Sequence, residues 1–227
     1  MQLIYLHGFA SSPESSKAVF LRERLAAIGV RLHCPDLNQP EFATMTTTRM
    51  IEQVESLMGT LDPGPVALLG SSLGGFVAAH VAERDRERRA SGAEVRTPVE
   101  RLVMLAPALD FGRRGMTGLT VAELEAWRER GVLESEHYGT GERVELCYDL
   151  YADAQRYDSF AIETMVPTLI LQGSRDDIVD PAMVQRFAAG RSRVDLVLLA
   201  DDHQLKTDLD RLWVEVTTFL GLPQASS

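Results

Sequence analysis

A serine with glycine two residues away on both sides is the first feature of this sequence that could do chemistry. Gly70-Ser71-Ser72-Leu73-Gly74 has the pattern G-x-S-x-G and lies between a short apolar run and a helix-like run. The pattern is typical of a nucleophile elbow, a strand-to-helix turn so tight that its central residue is strained and its glycines cannot carry a Cβ. Such a turn presents the Ser72 hydroxyl at a helix N-terminus, which favours negative charge. Ser71 is the rival nucleophile, but it lacks the symmetric glycines.

A general base and a carboxylate follow this serine along the chain. A serine hydroxyl needs a base to take its proton, and the base is normally a histidine that a carboxylate orients. Asp176 and His203 follow Ser72 in the order nucleophile, acid, base, and each comes soon after a predicted strand. The pattern G-x-x-D-x-x-V that begins at Gly173 favours Asp176 as the acid, with Asp177 as the second choice. The sequence therefore predicts a triad of Ser72, His203 and Asp176.

Acyl transfer also needs hydrogen-bond donors for the oxyanion that develops on the carbonyl oxygen. One expected donor is the backbone N–H of Leu73, directly after the nucleophile, and the other is the N–H of Phe9 in the loop after the first predicted strand. His7 lies in the same loop, where it could act as a second base or brace the turn, and the bracing role is the favoured interpretation. The remaining histidines and the two cysteines show no metal-ligand spacing, so no metal site is expected.

Strands and helices alternate around these residues. Leu3–Leu6 is a continuous apolar run, typical of a strand buried on both faces, and five further strands are predicted at Val30–Cys34, Val66–Leu69, Leu102–Leu105, Thr168–Leu171 and Val194–Leu199. The alternation predicts an α/β fold with about six mostly parallel strands and helices on both faces. Right-handed crossovers place the loops after the strands at one edge of the sheet, where ligands bind in open α/β folds. We therefore expect the candidate residues to converge at that edge.

The segment between the fourth and fifth predicted strands departs from the alternation. Residues 111–167 are long for a connection, and long loops are usually functional. The segment contains a helix from Thr120 to Arg130 that opens with a capping box. We predict an inserted lid whose helix roofs an acyl pocket with Leu124 and Trp127. The alternative is that these two side chains only anchor the helix to the rest of the domain.

Length, charge and cysteine content narrow the class of protein. The 227 residues suit one α/β domain, 1–227, and the net charge of −10 argues against nucleic acid and anionic membranes as partners. No apolar run is long enough to span a bilayer, and the first residues lack the features of a signal peptide. Cys34 and Cys147 suggest reduced thiols. These features predict a cytoplasmic protein.

Four motifs carry a resemblance to a known family: Leu6-His7-Gly8-Phe9, Ser11-Ser12-Pro13, Ser16-Lys17-Ala18 and Gly70-Ser71-Ser72-Leu73-Gly74-Gly75. They resemble the α/β-hydrolase superfamily and, more narrowly, the small YqiA-type esterases, over nearly the whole chain except 111–166. The resemblance implies a compact parallel-sheet hydrolase without metal or organic cofactor that acts on small-molecule esters or thioesters. The chain departs from the family in that segment, and in having Asp201-Asp202 before His203 where the family has small residues.

These observations together predict a serine hydrolase that cleaves carboxylic ester or thioester bonds through an acyl-enzyme. The same triad on this fold also serves lysophospholipases, peptidases, carbon–carbon hydrolases and cofactor-free peroxidases, and a non-catalytic binding module is a further alternative. A dehalogenase or an epoxide hydrolase would need a carboxylate in place of Ser72. The sequence leaves the acyl group, the leaving group and the oligomeric state open.

Overall fold

A computed structural model describes residues 1–113, 119–137, 142–162 and 165–223. The predicted lid, 111–167, is therefore described apart from 114–118, 138–141 and 163–164. The helices and strands of the described residues are β1 (Gln2–Leu6), α1 (Ser16–Ala27), β2 (Leu32–His33), α2 (Thr47–Thr60), β3 (Val66–Ser71), α3 (Leu73–Ala90), β4 (Val99–Leu105), α4 (Val121–Arg130), β5 (Val132–His137), β6 (Glu142–Cys147), α5 (Asp149–Ala154), β7 (Thr168–Gly173), α6 (Pro181–Ala188), β8 (Val194–Leu199) and α7 (Leu209–Leu220). Short 3-10 turns lie at Phe42–Thr44 and Ser159–Ala161.

Six of the described strands form one sheet in the order β2-β1-β3-β4-β7-β8, and every pair in it is parallel. This confirms the α/β fold predicted from the alternation of strands and helices. The edge strand β2 spans Leu32–His33 and is therefore shorter than the predicted strand, Val30–Cys34. The N–H of Val30 donates to the carbonyl of Leu25 over 2.9 Å, so this residue belongs to the C-terminal cap of α1.

The register of the sheet brings the ends of its strands together. Leu6 of β1 pairs with Gly70 of β3, and Gly173 of β7 pairs with Leu199 of β8. Since the strands run in the same direction, the loops that follow them leave the sheet at one edge. These are the loops that carry the candidate catalytic residues.

Helices cover both faces of the sheet, as predicted. Alternate residues of β1 point to opposite faces, with Ile4 and Leu6 in one buried core and Leu3 and Tyr5 in the other. The first core includes side chains from α2, α3 and α6, and the second includes side chains from α1 and α7. None of the described helices combines the length and apolar character that crossing a bilayer requires.

Where the structure describes it, the segment after β4 contains α4, an antiparallel pair of β5 and β6, α5 and the 3-10 turn at Ser159–Ala161. The predicted capping box is present, since Thr120 and Glu123 exchange side-chain and backbone hydrogen bonds at the start of α4. Gly131 ends this helix in the left-handed conformation, with φ of 78°. The hairpin was not predicted, because apolar and polar residues are mixed along its sequence; Leu133, Ser135 and Leu146 on one of its sides line a small cavity. Leu133 pairs with Leu146 across it.

Candidate active site

The backbone at Ser72 has the strained geometry of a nucleophile elbow. Ser72 lies between β3 and α3 with φ of 52° and ψ of −117°, a conformation that non-glycine residues rarely adopt. A Cβ on Gly70 would lie 2.2 Å from the carbonyl oxygen of Gly74, and a Cβ on Gly74 would lie 2.1 Å from that of Leu6. Gly70 is therefore required for β3 and α3 to approach so closely, and Gly74 is required for α3 to approach the end of β1.

The loop after β8 carries His203 to this serine. The Nε2 of His203 lies 3.1 Å from Ser72 Oγ, and its Nδ1 lies 2.9 Å from Asp176 Oδ2. Because an ionised carboxylate can only accept, Nδ1 carries the proton of the neutral ring, and Nε2 is then free to accept the serine proton. The structure thus brings the three predicted triad residues into one chain of contacts.

The environment of Asp176 keeps its carboxylate in one position. The side chain is fully buried and accepts hydrogen bonds from the backbone of Ile178 and Val179, at 2.9 and 2.8 Å, and from Gln172 Nε2 at 2.8 Å. Burial alone would raise the pKa of Asp176, but the hydrogen bonds from His203, Val179 and Gln172 outweigh it and hold this pKa below its ordinary value. Asp176 is therefore an anion at neutral pH.

Sequence reasoning overlooked Gln172, although a signal for it was present. Gln172 is a fully buried amide within the apolar strand β7, a position where a polar side chain needs a hydrogen-bond partner. Its Nε2 donates to Asp176, so this residue helps to orient the carboxylate behind the histidine.

The other carboxylates near the site have different partners. Asp177 is exposed, and Asp180 caps the N-terminus of α6. Asp201 accepts hydrogen bonds from the backbone and the hydroxyl of Thr207, at 2.9 and 2.8 Å. Burial raises the pKa of Asp201, but these hydrogen bonds outweigh the effect of burial, so the pKa lies below its ordinary value. The acidic pair before His203 therefore includes a carboxylate that serves the fold of the loop.

Both predicted oxyanion donors belong to residues beside the nucleophile. Leu73 is the first residue of α3, so its N–H has no acceptor within the helix. Gly8 lies against the serine, since a Cβ on Gly8 would be 3.3 Å from Ser72 Cβ. Phe9 follows directly and lines the same cavity as Ser72 and Leu73.

His7 has the contacts of a bracing residue. The residue is buried; its Nδ1 lies 2.9 Å from the carbonyl oxygen of Gly8, and its Nε2 accepts from the N–H of Leu37 at 3.0 Å. Both ring nitrogens are thus engaged by the backbone of two loops. This arrangement favours the bracing role over that of a second base.

A cavity of about 240 Å³ opens beside Ser72. Its wall from the segment after β4 is almost wholly apolar or aromatic and is made mainly by Leu119, Trp127, Leu133, Leu146, Leu150 and Tyr151. The hairpin residues among them had no sequence signal, because the hairpin itself was not predicted. Ser135 adds a hydroxyl to this wall.

The two predicted pocket residues have different positions. Trp127 is 5% exposed, lines the cavity, and donates from its indole N–H to the carbonyl of Leu146 at 3.0 Å. It therefore both faces the cavity and fastens α4 to the hairpin. Leu124 packs partly buried against the core, and the described residues that line the cavity do not include it, so its part in the pocket stays a prediction.

The described residues contain no group of three or more histidine, cysteine, aspartate or glutamate side chains placed to hold a metal ion. Cys34 and Cys147 are both free thiols.

Comparisons with known proteins agree with this architecture. A family model described as an uncharacterised protein family, UPF0227, matches residues 2–220. A candidate hydrolase from Agrobacterium vitis S4 has a TM-score of 0.78 at 24% identity, over 96% of this chain and 87% of that one. Est1E from Butyrivibrio proteoclasticus with ferulic acid bound has a TM-score of 0.77 at 20% identity, over 97% and 88%. Mouse alpha/beta hydrolase domain-containing protein 10 has a TM-score of 0.74 at 21% identity, over 97% and 89%. These similarities show the α/β-hydrolase fold.

Proposed function

The chain belongs to the UPF0227 family, and we propose that it is a serine hydrolase that cleaves ester or thioester bonds of small molecules through an acyl-enzyme. The observation that carries the proposal is the continuous set of contacts from Ser72 Oγ through His203 to Asp176, at 3.1 and 2.9 Å. A strained serine whose hydroxyl faces a histidine oriented by a carboxylate has the geometry of nucleophilic catalysis.

Each step of the proposed reaction has a group to perform it. Ser72 Oγ attacks the substrate carbonyl while His203 Nε2 takes the hydroxyl proton, and Asp176 stabilises the resulting imidazolium. The N–H groups of Leu73 and Phe9 bind the oxyanion of the tetrahedral intermediate. As that intermediate collapses, the alcohol or thiol leaves with the proton from His203. Water, deprotonated by the same histidine, then attacks the acyl-enzyme and releases the carboxylic acid.

The segment 111–167 serves in this proposal as a small lid, and the cavity beneath it binds the acyl group. Its apolar wall suits a hydrocarbon chain or an aromatic ring, because burial of such groups is favourable by roughly 25 cal/mol per Å². A protein of similar fold has been solved with ferulic acid, an aromatic carboxylic acid, bound to it. The preferred substrates would then be esters or thioesters with an apolar acyl part.

A substrate panel tests this function. The panel contains p-nitrophenyl esters from acetate to octanoate, methyl ferulate, and acyl-CoA thioesters of matching length, with Ser72→Ala protein as the background. We expect at least one ester or thioester to be hydrolysed, with a burst of the leaving group for substrates whose deacylation is slower than their acylation, because the acyl-enzyme then accumulates. Rates no higher than those of the Ser72→Ala protein throughout the panel would contradict the proposed activity.

A further inference from the structure

Lys17 is an unusual cation in this chain. The sequence contains 21 arginines and only two lysines, Lys17 and Lys206. Lys206 is exposed, whereas Lys17 is only 6% exposed and lies in the first turn of α1. A lysine is rarely buried without a strong reason, and a cation in the first turn of a helix opposes the helix dipole.

The buried ammonium binds the loop that carries the histidine. Lys17 Nζ donates to the carbonyl oxygen of Gln204 at 2.6 Å, and Gln204 directly follows His203. The next residue, Leu205, is buried with φ of 50°, so the backbone is tightly constrained just beyond the contact. Lys17 therefore joins α1 to the loop that places the imidazole.

This position destabilises the charged form of the lysine. Burial and, to a smaller extent, the nearby charge of Lys206 lower the pKa of Lys17, and although Asp201, Asp202 and Asp176 partly oppose the shift, the net pKa is about 8. A buried ammonium contributes little net stability, because its loss of hydration offsets its attraction to these groups. The arrangement is better explained by what the ammonium holds in place.

We propose that Lys17 is a positioning residue of the triad, whose ammonium fixes the backbone at Gln204 and so keeps His203 between Ser72 and Asp176. The expected effect on catalysis rests on the proposed function, whereas the contact between Lys17 and Gln204 does not depend on it. The proposal also assigns a role to the Ser16-Lys17-Ala18 motif, which the triad leaves unexplained.

The role has a consequence for the pH dependence of activity. Above a pH of about 8 the ammonium loses its proton, and its bond to the carbonyl loses the charge that strengthens it. We therefore expect kcat to decrease as the pH rises from 7 to 9. Removal of Lys206 should move this decrease to higher pH, because Lys206 disfavours the charged form of Lys17.

Three variants test the role through kinetics. Lys17→Met removes the donor and the charge, Lys17→Gln keeps a donor without the charge, and Lys206→Met is the matched control on an exposed lysine. At pH 7 we expect Lys17→Met to lower kcat by on the order of 10- to 100-fold with KM within about twofold, since small misplacement of a catalytic group is costly. The kcat of Lys17→Gln should lie between those of Lys17→Met and wild type. Both Lys17 variants should lose the decrease in kcat near pH 8. Lys206→Met should keep wild-type kcat at pH 7.

Wild-type kcat and an unchanged pH profile in both Lys17 variants would overturn the proposal. A melting curve for each variant, with kinetics recorded well below the melting temperature, separates misplacement of His203 from loss of folded protein. A variant that only melts earlier, with normal kcat in the cold, would show that the residue is merely structural and would likewise overturn the proposal.

An NMR measurement keeps the test independent of turnover. In the Ser72→Ala background, the proton on His203 Nδ1 should give a downfield resonance because it is hydrogen-bonded to Asp176. We expect Lys17→Met to broaden or shift that resonance and Lys206→Met to preserve it. An identical resonance in Lys17→Met would contradict the positioning role, even if wild-type protein hydrolyses nothing and the proposed function fails.

Discussion

At the scale of the residue, the proposed reaction depends on how firmly the imidazole is held on each side. Asp176 binds its Nδ1 and is itself fixed by the backbone of Ile178 and Val179 and by Gln172. An anchored carboxylate keeps the histidine in one tautomer and one orientation, with Nε2 turned to Ser72. In the proposed mechanism, the hydrogen bonds behind the carboxylate therefore help to orient His203 toward Ser72.

Replacement of either of the two adjacent carboxylates distinguishes their roles. We expect Asp176→Asn to lower kcat by on the order of 10⁴-fold, because an amide in this position stabilises the wrong tautomer of His203. Asp177→Asn is the matched control, since Asp177 is exposed, and it should leave kcat within a few fold of wild type. The measurement is steady-state hydrolysis of a p-nitrophenyl ester; a larger loss in Asp177→Asn would show that the wrong aspartate has been assigned.

The residues that carry a local pattern could be identified from the sequence, and those that act through distant contacts could not. Ser72 is marked by glycines on both sides, and Asp176 and His203 by their order along the chain and their places after strands. Lys17 lies 187 residues from Gln204 in the chain. No spacing rule predicts a contact of that kind, because it depends on how α1 packs beside the loop after β8.

At the scale of the element, the segment after β4 is tied together around Trp127. The indole donates to the carbonyl of Leu146, and its ring contacts Tyr148 edge-on with centroids 5.5 Å apart. Further along, Asp153 of α5 accepts from the N–H and the hydroxyl of Thr48 at the start of α2, each at 2.7 Å. The segment is thus fastened both to itself and to the main domain.

Two substitutions of Trp127 separate its two contacts. Trp127→Ala removes the ring from the cavity, so kcat/KM should fall progressively more for longer acyl chains, because each buried methylene contributes roughly 0.8 kcal/mol. Trp127→Phe keeps an aromatic ring but loses the hydrogen bond to Leu146, so it should be less stable with a nearly wild-type preference for chain length. The measurements are kcat/KM for acetate, butyrate, hexanoate and octanoate esters and a melting curve for each protein.

A uniform loss of kcat/KM across chain lengths in Trp127→Ala, in step with a lowered melting temperature, would contradict a pocket role. In that case Trp127 would be only an anchor, and the acyl group would bind elsewhere.

The helices and strands could be predicted from the sequence where their apolar residues follow a regular pattern and face the main core. The capping box of α4 and the apolar runs of the central strands have strong local signals. The hairpin of β5 and β6 did not, since Leu133 and Ser135 face a cavity that the same segment forms together with residues of the main domain, such as Phe9 and Ser72. Its location depends on tertiary packing, which overrides the weak alternation in its sequence.

At the scale of the whole molecule, two buried cores on opposite faces of the sheet support the site at its edge. His80 in α3 lies in the wall of the first core and connects it to the end of the segment after β4. Its Nε2 lies 3.2 Å from Ser159 Oγ, and its ring contacts Phe76 and Tyr157 with centroids 4.6 and 5.1 Å apart. Because of this burial, the pKa of His80 is lowered to about 4.

This histidine should make the folded protein less stable in mild acid. In the unfolded chain His80 binds a proton near pH 6.5, whereas in the folded chain it does so only near pH 4. The unfolded state therefore binds more protons between these values, and the free energy of unfolding decreases as the pH falls from 6.5 to 4, by about 3 kcal/mol. Urea unfolding of wild type and His80→Phe at intervals from pH 7 to 4.5 measures this, and a parallel decrease in both proteins would show that another group is responsible.

Ser72 is the proposed covalent nucleophile, and labelling with a fluorophosphonate probe tests this assignment most directly. The probe should react with wild-type protein, and fragmentation of the tryptic peptide 50–84, which contains both Ser71 and Ser72, should place the adduct on Ser72. Ser71→Ala, the matched control, changes a buried residue of β3 and should still be labelled, whereas Ser72→Ala should not. Undiminished labelling of Ser72→Ala, or an adduct on Ser71, would contradict the proposed mechanism.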